Sequence, residues 1–273
     1  MMKGQKFWLL AAWLMFFTLA NAQEYSRVVS LAPSITKNIY YLNAESRLLA
    51  CTSYCKRAKE DDKAVVASMV TVNVEKIVGL KPDLVLATSI TNPEYIEMLR
   101  KFNIRVEVFP TPKSFEGICS QFVEMGKLLG KEEDAIQQVA DIKKEIEAIK
   151  LLSATRNFNK KVFIQIGADP LYAVIPSSFM NDYILFANAT NVAEDLTKGA
   201  LSREAVLTRN PDYIFVVTMG IVGEEEKKVW ERFGDLNAVK NNKIFIIDSD
   251  LACTPTPPTF LQTMKLISKY LND

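Results

Sequence analysis

EKIVGLKPDLVLAT, at residues 75–88, returns in altered form as EAVLTRNPDYIFVVT at residues 204–218, and in both a Pro-Asp pair follows the glutamate at the same distance. A second echo sets NIYYLNAESRLL, beginning at Asn38, beside DYILFANATNVA, beginning at Asp182, each a short helical pattern that closes on an Asn-Ala pair. Self-similarity of this kind marks a duplicated unit, so two similar lobes are the economical reading. Strand-like apolar runs at residues 28–32, 48–52, 84–88 and 106–109 alternate with helical patterns, and the cycle restarts with runs at 162–166, 213–218 and 244–247. The alternation predicts an α/β fold of two Rossmann-like lobes.

Between the halves, Gly130 ends one helical pattern and another runs from Lys131 to about Leu152, with Ala135, Ile136, Val139, Ile142, Ile146 and Ile149 on one stripe. Glu132, Glu133, Lys143, Lys144, Glu145 and Lys150 occupy the opposite face. At ~1.5 Å per residue such a helix extends roughly 33 Å, enough to cross a small protein. It could pack along a single domain, but the duplicated lobes favour a bridge. The expected organisation is a leader at 1–22, a first lobe at 23–130, a bridging helix at 131–155 and a second lobe at 156–273.

The leader follows from Lys3 and Lys6 ahead of an apolar run at residues 7–19, then the small-residue site Ala20-Asn21-Ala22. No cysteine follows that site, so a freely diffusing mature chain is expected rather than a lipid-anchored one. The whole sequence carries 33 Lys and Arg against 32 Asp and Glu, and removing the two leader lysines leaves thirty-one against thirty-two. A near-neutral chain without a basic block has no electrostatic footprint for nucleic acid. Histidine is absent, which removes the usual general base and the commonest metal ligand together. GxSxG, Walker, GxGxxG and CxxC patterns are also missing, so an enzyme is not expected. Cys51, Cys55, Cys119 and Cys253 belong to a chain bound for an oxidising compartment. One or two disulfides are open to it, with three complete pairings and a Cys55 to Cys253 bridge among the options. Cys119 lies on a helical apolar stripe and reads as a small buried hydrophobe.

RVVSLAPSIT from Arg27, TSYC, NVEKIVGLKPDLVLAT, LLGKEEDA, KVFIQIGADPLYA from Lys161, LSREAVLTRNPDYIFVVT from Leu201 and IFIIDSD ending at Asp250 follow one another along nearly the whole mature chain. In that order they resemble the iron-chelate and cobalamin periplasmic-binding family, the substrate-binding proteins of class III ABC transporters. The sequence looks most like the cobalamin-binding branch. The resemblance implies two α/β lobes joined by one long helix, with a shallow cleft that closes little. It implies a periplasmic monomer that captures a corrinoid and delivers it to an inner-membrane permease, with a ferric siderophore or other iron chelate as the alternative cargo. No resident cofactor is expected, because the metal arrives inside the cargo. A secreted hydrolase using carboxylates is the alternative of a different class.

The resemblance also suggests roles for single residues. Glu75 and Glu204 match lobe-top acids that dock on permease arginines; each also reads as a first-turn acid behind an Asn73 or Ser202 cap. Tyr54 and Tyr172 match cleft positions where aromatic rings lie against the nutrient, with a core role as the alternative for each. Asp250 matches a polar position at the cleft edge. Met69, Thr88 and Lys198 stand where the branch tends to place tryptophan, so the aromatic cage is expected to be incomplete. Lys37 replaces the usual acid after SLAPSIT, and Ser34 reads as a helix cap facing the cleft.

Overall fold

The computed structural model describes residues 25–272 apart from 69–70, 157–158 and 219–221. The expected leader and the candidate Met69 lie outside the described residues. The first half contains β1 (Val28–Ser30), α1 (Pro33–Tyr41), β2 (Leu48–Thr52), α2 (Lys56–Glu60), β3 (Ala64–Ala67), α3 (Val74–Gly79), β4 (Leu84–Thr88), α4 (Pro93–Lys101), β5 (Arg105–Phe109) and α5 (Phe115–Leu128). After α6 (Glu132–Ala154) come β6 (Lys161–Ala168), β7 (Leu171–Ala173), α7 (Asn181–Phe186), β8 (Thr190–Asn191), α8 (Arg203–Arg209), β9 (Tyr213–Val217), α9 (Gly223–Glu231), α10 (Asn237–Lys240), β10 (Ile244–Ile247), α11 (Ser249–Ala252) and α12 (Pro257–Asn272).

Each half forms its own sheet. The first runs in the order β3-β2-β1-β4-β5 with every pairing parallel. The second runs β10-β9-β6-β7, with β8 also on β6 and only β7 antiparallel. Sheets covered by helices on both faces need strands that are apolar throughout, and β4 and β9 are buried almost along their length. In the first sheet the order reverses between β1 and β4, the place where a parallel sheet leaves a crevice beyond its carboxyl ends.

The repeat read from the sequence holds down to single dihedrals. Lys81 and Asn210, each just before the Pro-Asp pair, both take left-handed φ angles, 50° and 46°. The aspartates that follow then do the same work: Asp83 accepts a hydrogen bond from the Arg27 backbone N–H, and Asp212 from that of Lys161, each at 2.9 Å. Asn43 and Asn188, in the Asn-Ala pairs, also have positive φ, 51° and 54°. Asparagine tolerates this region better than most side chains, which is how two dissimilar segments keep one turn.

The 23-residue α6 touches both halves. On the first, Gln138 donates to the Tyr41 carbonyl and Lys143 pairs with Glu116; on the second, Lys265 pairs with Glu145 and Asn188 donates to the Ala154 carbonyl. Gly126 lets α5 and α6 approach closely, since a Cβ there would lie 2.6 Å from that of Ala135. The core is continuous through this region, from Val28 and Ile39 through Phe122 and Ile146 to Tyr183 and Phe260. Phe115 of α5 stacks on Phe260 of α12 at 4.5 Å, and Phe260 meets Tyr183 at the same separation. Asp182 of α7 accepts from the Phe115 backbone N–H at 2.7 Å, so the start of α5 is held by the other half.

Candidate functional site

The loops that leave the carboxyl ends of β1 and β4 meet the segment after β10 across a cavity of about 770 Å³, in the size range of small-molecule sites. On the first half its wall holds Pro33 and Ser34 at the start of α1, Tyr54 after β2, Thr88 at the end of β4 and Tyr95 of α4; on the second it holds Phe179 and residues 248–250 and 253–255. A smaller annex of about 320 Å³ adjoins it, sharing Pro33, Tyr54, Lys56 and Asp250 and lined also by Lys37, Tyr40 and Tyr41.

Four of the residues singled out from the sequence meet here: Ser34, Tyr54, Thr88 and Asp250. Tyr54 is 56% exposed and presents its ring to the opening rather than to the core. Ser34 is not a cap. Ala32 takes the cap position of α1 and Pro33 opens the helix, leaving Ser34 inside the first turn. Tyr172 and Lys198 do not line the cavity. Tyr172 sits on the short edge strand β7, bridges to Ala200 and lies close to Gly199, so β7 packs against the segment that leads into α8. Both residues are exposed there.

Asp250 is not a free acid. Lys37 of α1 crosses between the halves to place its ammonium 2.9 Å from the Asp250 carboxylate and 2.7 Å from its backbone carbonyl. Lys37, which follows the SLAPSIT run, thus answers Asp250, which ends the IFIIDSD run. Asp248, the other acid of the lining, caps α11 by accepting from the Asp250 N–H. Glu60 shares the annex with Asp250, whose carboxylate is already taken by Lys37. Among the described residues Lys56 is the sole cation on the wall of the main cavity, while Lys37 and Arg57 line the annex.

The cysteines are thiols rather than disulfides. The Cys55 to Cys253 bridge does not form: Cys55 is buried against Thr36 and Thr52, each hydroxyl 3.2 Å from its sulfur. Cys253 lines the cavity, and burial pushes its thiol up to about 12, so it stays protonated and uncharged. Cys119 is buried as its stripe implied, and burial raises its thiol likewise.

Several lining groups escaped the sequence reading. Tyr95 and the largely buried Phe109 and Phe179 line the cavity along with Tyr54, so the wall holds more aromatic residues than the missing tryptophans suggested. Polar lining side chains mostly have work inside the protein. Asn92 caps α4, Gln121 donates to the Pro110 carbonyl, and Thr111 pairs with Ser89. Asn38 differs. It is 4% exposed, it lines the cavity from α1, and its Oδ1 has no hydrogen-bond partner. Leaving a buried amide oxygen unpaired costs about 1–3 kcal/mol. The sequence signal was present, since Asn38 follows Ile35 by three and precedes Leu42 by four, on the apolar stripe of α1.

The acids on the repeat are also placed alike. Asn73 caps α3 by accepting from Lys76, and Ser202 caps α8 by accepting from Ala205, so Glu75 and Glu204 are each the second residue of their helix. Both are exposed. Hydrogen bonds from its own backbone N–H and from Ser202 hold the Glu204 carboxyl below the usual range.

Three comparisons bear on this arrangement. The uncharacterized ABC transporter substrate-binding lipoprotein YvrC of Bacillus subtilis is 31% identical over 86% of this chain and 76% of its own length. The vitamin B12-binding protein of Vibrio parahaemolyticus is 28% identical over 90% of each chain. A possible iron-binding (periplasmic solute-binding) protein from Staphylococcus epidermidis has a solved structure that superposes with a TM-score of 0.80 at 25% identity, covering 92% of this chain and all of that one. Residues 28–251 match the family described as periplasmic binding protein. The two sheets, the spanning helix and the cleft are thus those of a transport component rather than an enzyme, and the chain belongs to the periplasmic binding protein family.

Proposed function

We propose that this chain is the extracytoplasmic receptor of an ABC importer, released as a monomer after loss of its leader, and that its cargo is a corrinoid. The observation that carries the reading is the lining of the cleft. Tyr54, Tyr95, Phe109 and Phe179 line it together with hydroxyls and amides, and Lys56 is the sole cation on the wall of the main cavity among the described residues. A broad macrocycle with neutral polar arms suits such a wall. A tetrapyrrole edged with carboxylates would set its charges against Lys56 alone in the main cavity, since Lys37 and Arg57 of the annex are already paired with Asp250 and Asp61. The likeness to a vitamin B12-binding protein points the same way. Cobalt comes with the cargo, and the protein needs no cofactor of its own. Ser34, Thr88 and Asp250 serve as polar wall, while Tyr172 and Lys198 form a rim of the second half.

Delivery falls to Glu75 and Glu204. Each stands at the start of a helix, exposed, one on each half, where two carboxylates can meet two cationic patches of a permease. The second reading, a ferric chelate, draws on the likeness to the possible iron-binding protein.

Native mass spectrometry of the mature chain with cobalamin, cobinamide, a ferric hydroxamate and haem decides between them. The proposal expects a one-to-one corrinoid adduct that the iron complexes do not displace. An adduct with the ferric hydroxamate alone transfers the assignment to iron-chelate capture.

A further inference from the structure

Among the described residues Glu226 of α9 is the one charged side chain that is buried. Arg203, the first residue of α8, places its Nη2 2.6 Å from the Glu226 Oε1, and Gln165 of β6 donates to the same oxygen at 2.7 Å. The Gln165 amide oxygen accepts in turn from the indole N–H of Trp230 at 2.7 Å, and the Arg203 guanidinium lies 4.8 Å from the centre of the Trp230 ring. Gln165 and Trp230 are fully buried. Such a network is costly to desolvate, and an apolar set of similar volume is often as stable or more so. The first half has that apolar set. Asp83 and Asp212 bind the backbone of Arg27 and Lys161, which places Leu31 opposite Gln165 in the repeat, each four residues further on. Val74 and Arg203 each open the helix after its cap, and Ile96 and Glu226 are each the fourth residue of the helix after the next strand. Leu31, Val74 and Ile96 belong to one apolar cluster. The same three positions are therefore apolar under one half and polar under the other, so the fold by itself does not call for the charges.

We propose that Arg203 is a positioning residue for delivery, anchoring the first turn of α8 on β6 and α9 so that Glu204 meets the permease from one fixed place. This rests on the docking reading of Glu204 and deepens it. The Arg203 side chain turns inward to Glu226 and Trp230, and the next residue, roughly 100° further round the helix, is exposed. A guanidinium held by an ion pair at its edge and by a ring at its face is fixed in two directions, which a lysine ammonium is not. A carboxylate carried on so fixed a turn has less freedom to lose when it docks. Glu75 rests on an apolar seat instead, so the two docking ends are unequal, and only the second answers to a polar network beneath it.

The affinity of the mature chain for its cognate permease in lipid nanodiscs, measured by interferometry, needs no cargo and so does not depend on which ligand the cleft takes. Arg203→Val with Glu226→Ile copies the first half and removes both charges together, while Gln165 keeps the Gly167 carbonyl and the Trp230 indole. Its melting temperature is expected to equal or exceed that of wild type, whereas its dissociation constant for the permease should rise about fivefold. Added to Glu204→Ala it should bring no further loss, and added to Glu75→Ala the two losses should multiply. Arg203→Lys, which keeps a cation for Glu226 and gives up the flat stack on Trp230, should weaken docking in the same direction with the melting temperature unchanged, and it serves the test even if the paired variant does not fold. If these variants bind the permease as wild type does while Glu204→Ala weakens it, the role of Arg203 is overturned and the docking reading stands. A loss that multiplies with Glu204→Ala as fully as with Glu75→Ala overturns it too, since the network then acts on the fold at large. If Glu204→Ala itself binds like wild type, the docking reading is overturned and this inference with it.

Discussion

On the proposed reading Tyr54, a single exposed ring on the cavity wall, serves binding rather than stability. With more than half its surface in water it adds little to the core, whereas a ring face against a macrocycle contributes about 0.5–1.5 kcal/mol beyond area burial. Tyr54→Ala is therefore expected to weaken cobinamide binding by about five- to tenfold and leave the melting temperature unchanged, as followed by emission quenching and a thermal melt. The Lys37 and Asp250 pair leads to a second prediction. Both side chains are partly exposed, so the bridge itself contributes about 0–1 kcal/mol. Asp250→Asn keeps Lys37 in place through the backbone carbonyl but leaves its charge uncompensated at the cleft edge. Haem, with two carboxylates, should then bind about fivefold more tightly, and cobinamide should be indifferent, both read by absorbance titration. Such pairs show what one sequence conceals. Asp250 could be assigned to the cleft edge from its motif, but its partner is 213 residues away, and nothing local to either residue announces the contact. Asn38 was missed for another reason: a polar residue on a helix reads as solvent-facing until its stripe is checked residue by residue.

At the scale of the element, the strongest regularity is the helix that opens after each cap. Replacing both Glu75 and Glu204 by alanine should leave cobinamide affinity within twofold of wild type by titration. Uptake into vesicles bearing the cognate permease should fall by about tenfold or more, since exposed charges act mainly in encounter and docking. Transport that survives the double change contradicts the docking role. Asp182 offers a test in pH. Burial raises its carboxyl above the ordinary value, so the folded protein holds that proton more tightly than the unfolded chain. Stability from this site is therefore present at low pH and declines as pH rises from the ordinary carboxylate range through the raised folded value. Asp182→Asn retains an acceptor for the Phe115 N–H and should flatten that part of the melting-temperature profile. The long apolar strands were legible because burial on both faces leaves no polar positions. The short edge strands β3, β7 and β8 were not, since two to four residues carry no period. The long helix was legible almost to its ends, because its apolar stripe persists from Ala135 to Ile149.

Over the whole molecule, the two halves share one core rather than meeting at a hinge. Phe260 lies at its centre, fully buried among Phe115, Tyr183 and Phe186. Phe260→Ala is expected to cost about 3–5 kcal/mol, lowering the melting temperature by about 10 °C, with the two sheets still unfolding in one transition by calorimetry. Separate transitions would mean the halves are independent. The duplicated motif conveyed the two-lobed plan in advance because the same Pro-Asp and Asn-Ala turns must be built twice. It could not convey which loops face each other, and for that reason the segments carrying Tyr172 and Lys198 were placed in a cavity they do not line. Contacts across the cleft depend on how α6 sets the second half against the first, a three-dimensional fact with no local trace.

The most direct measurement is the crystal structure of the mature protein with dicyanocobinamide, set against the unliganded protein in solution by small-angle scattering. The account predicts an intact macrocycle between Tyr54 and residues 248–255, and a radius of gyration unchanged by ligand. A corrinoid bound elsewhere, or halves that swing together on binding, would contradict it.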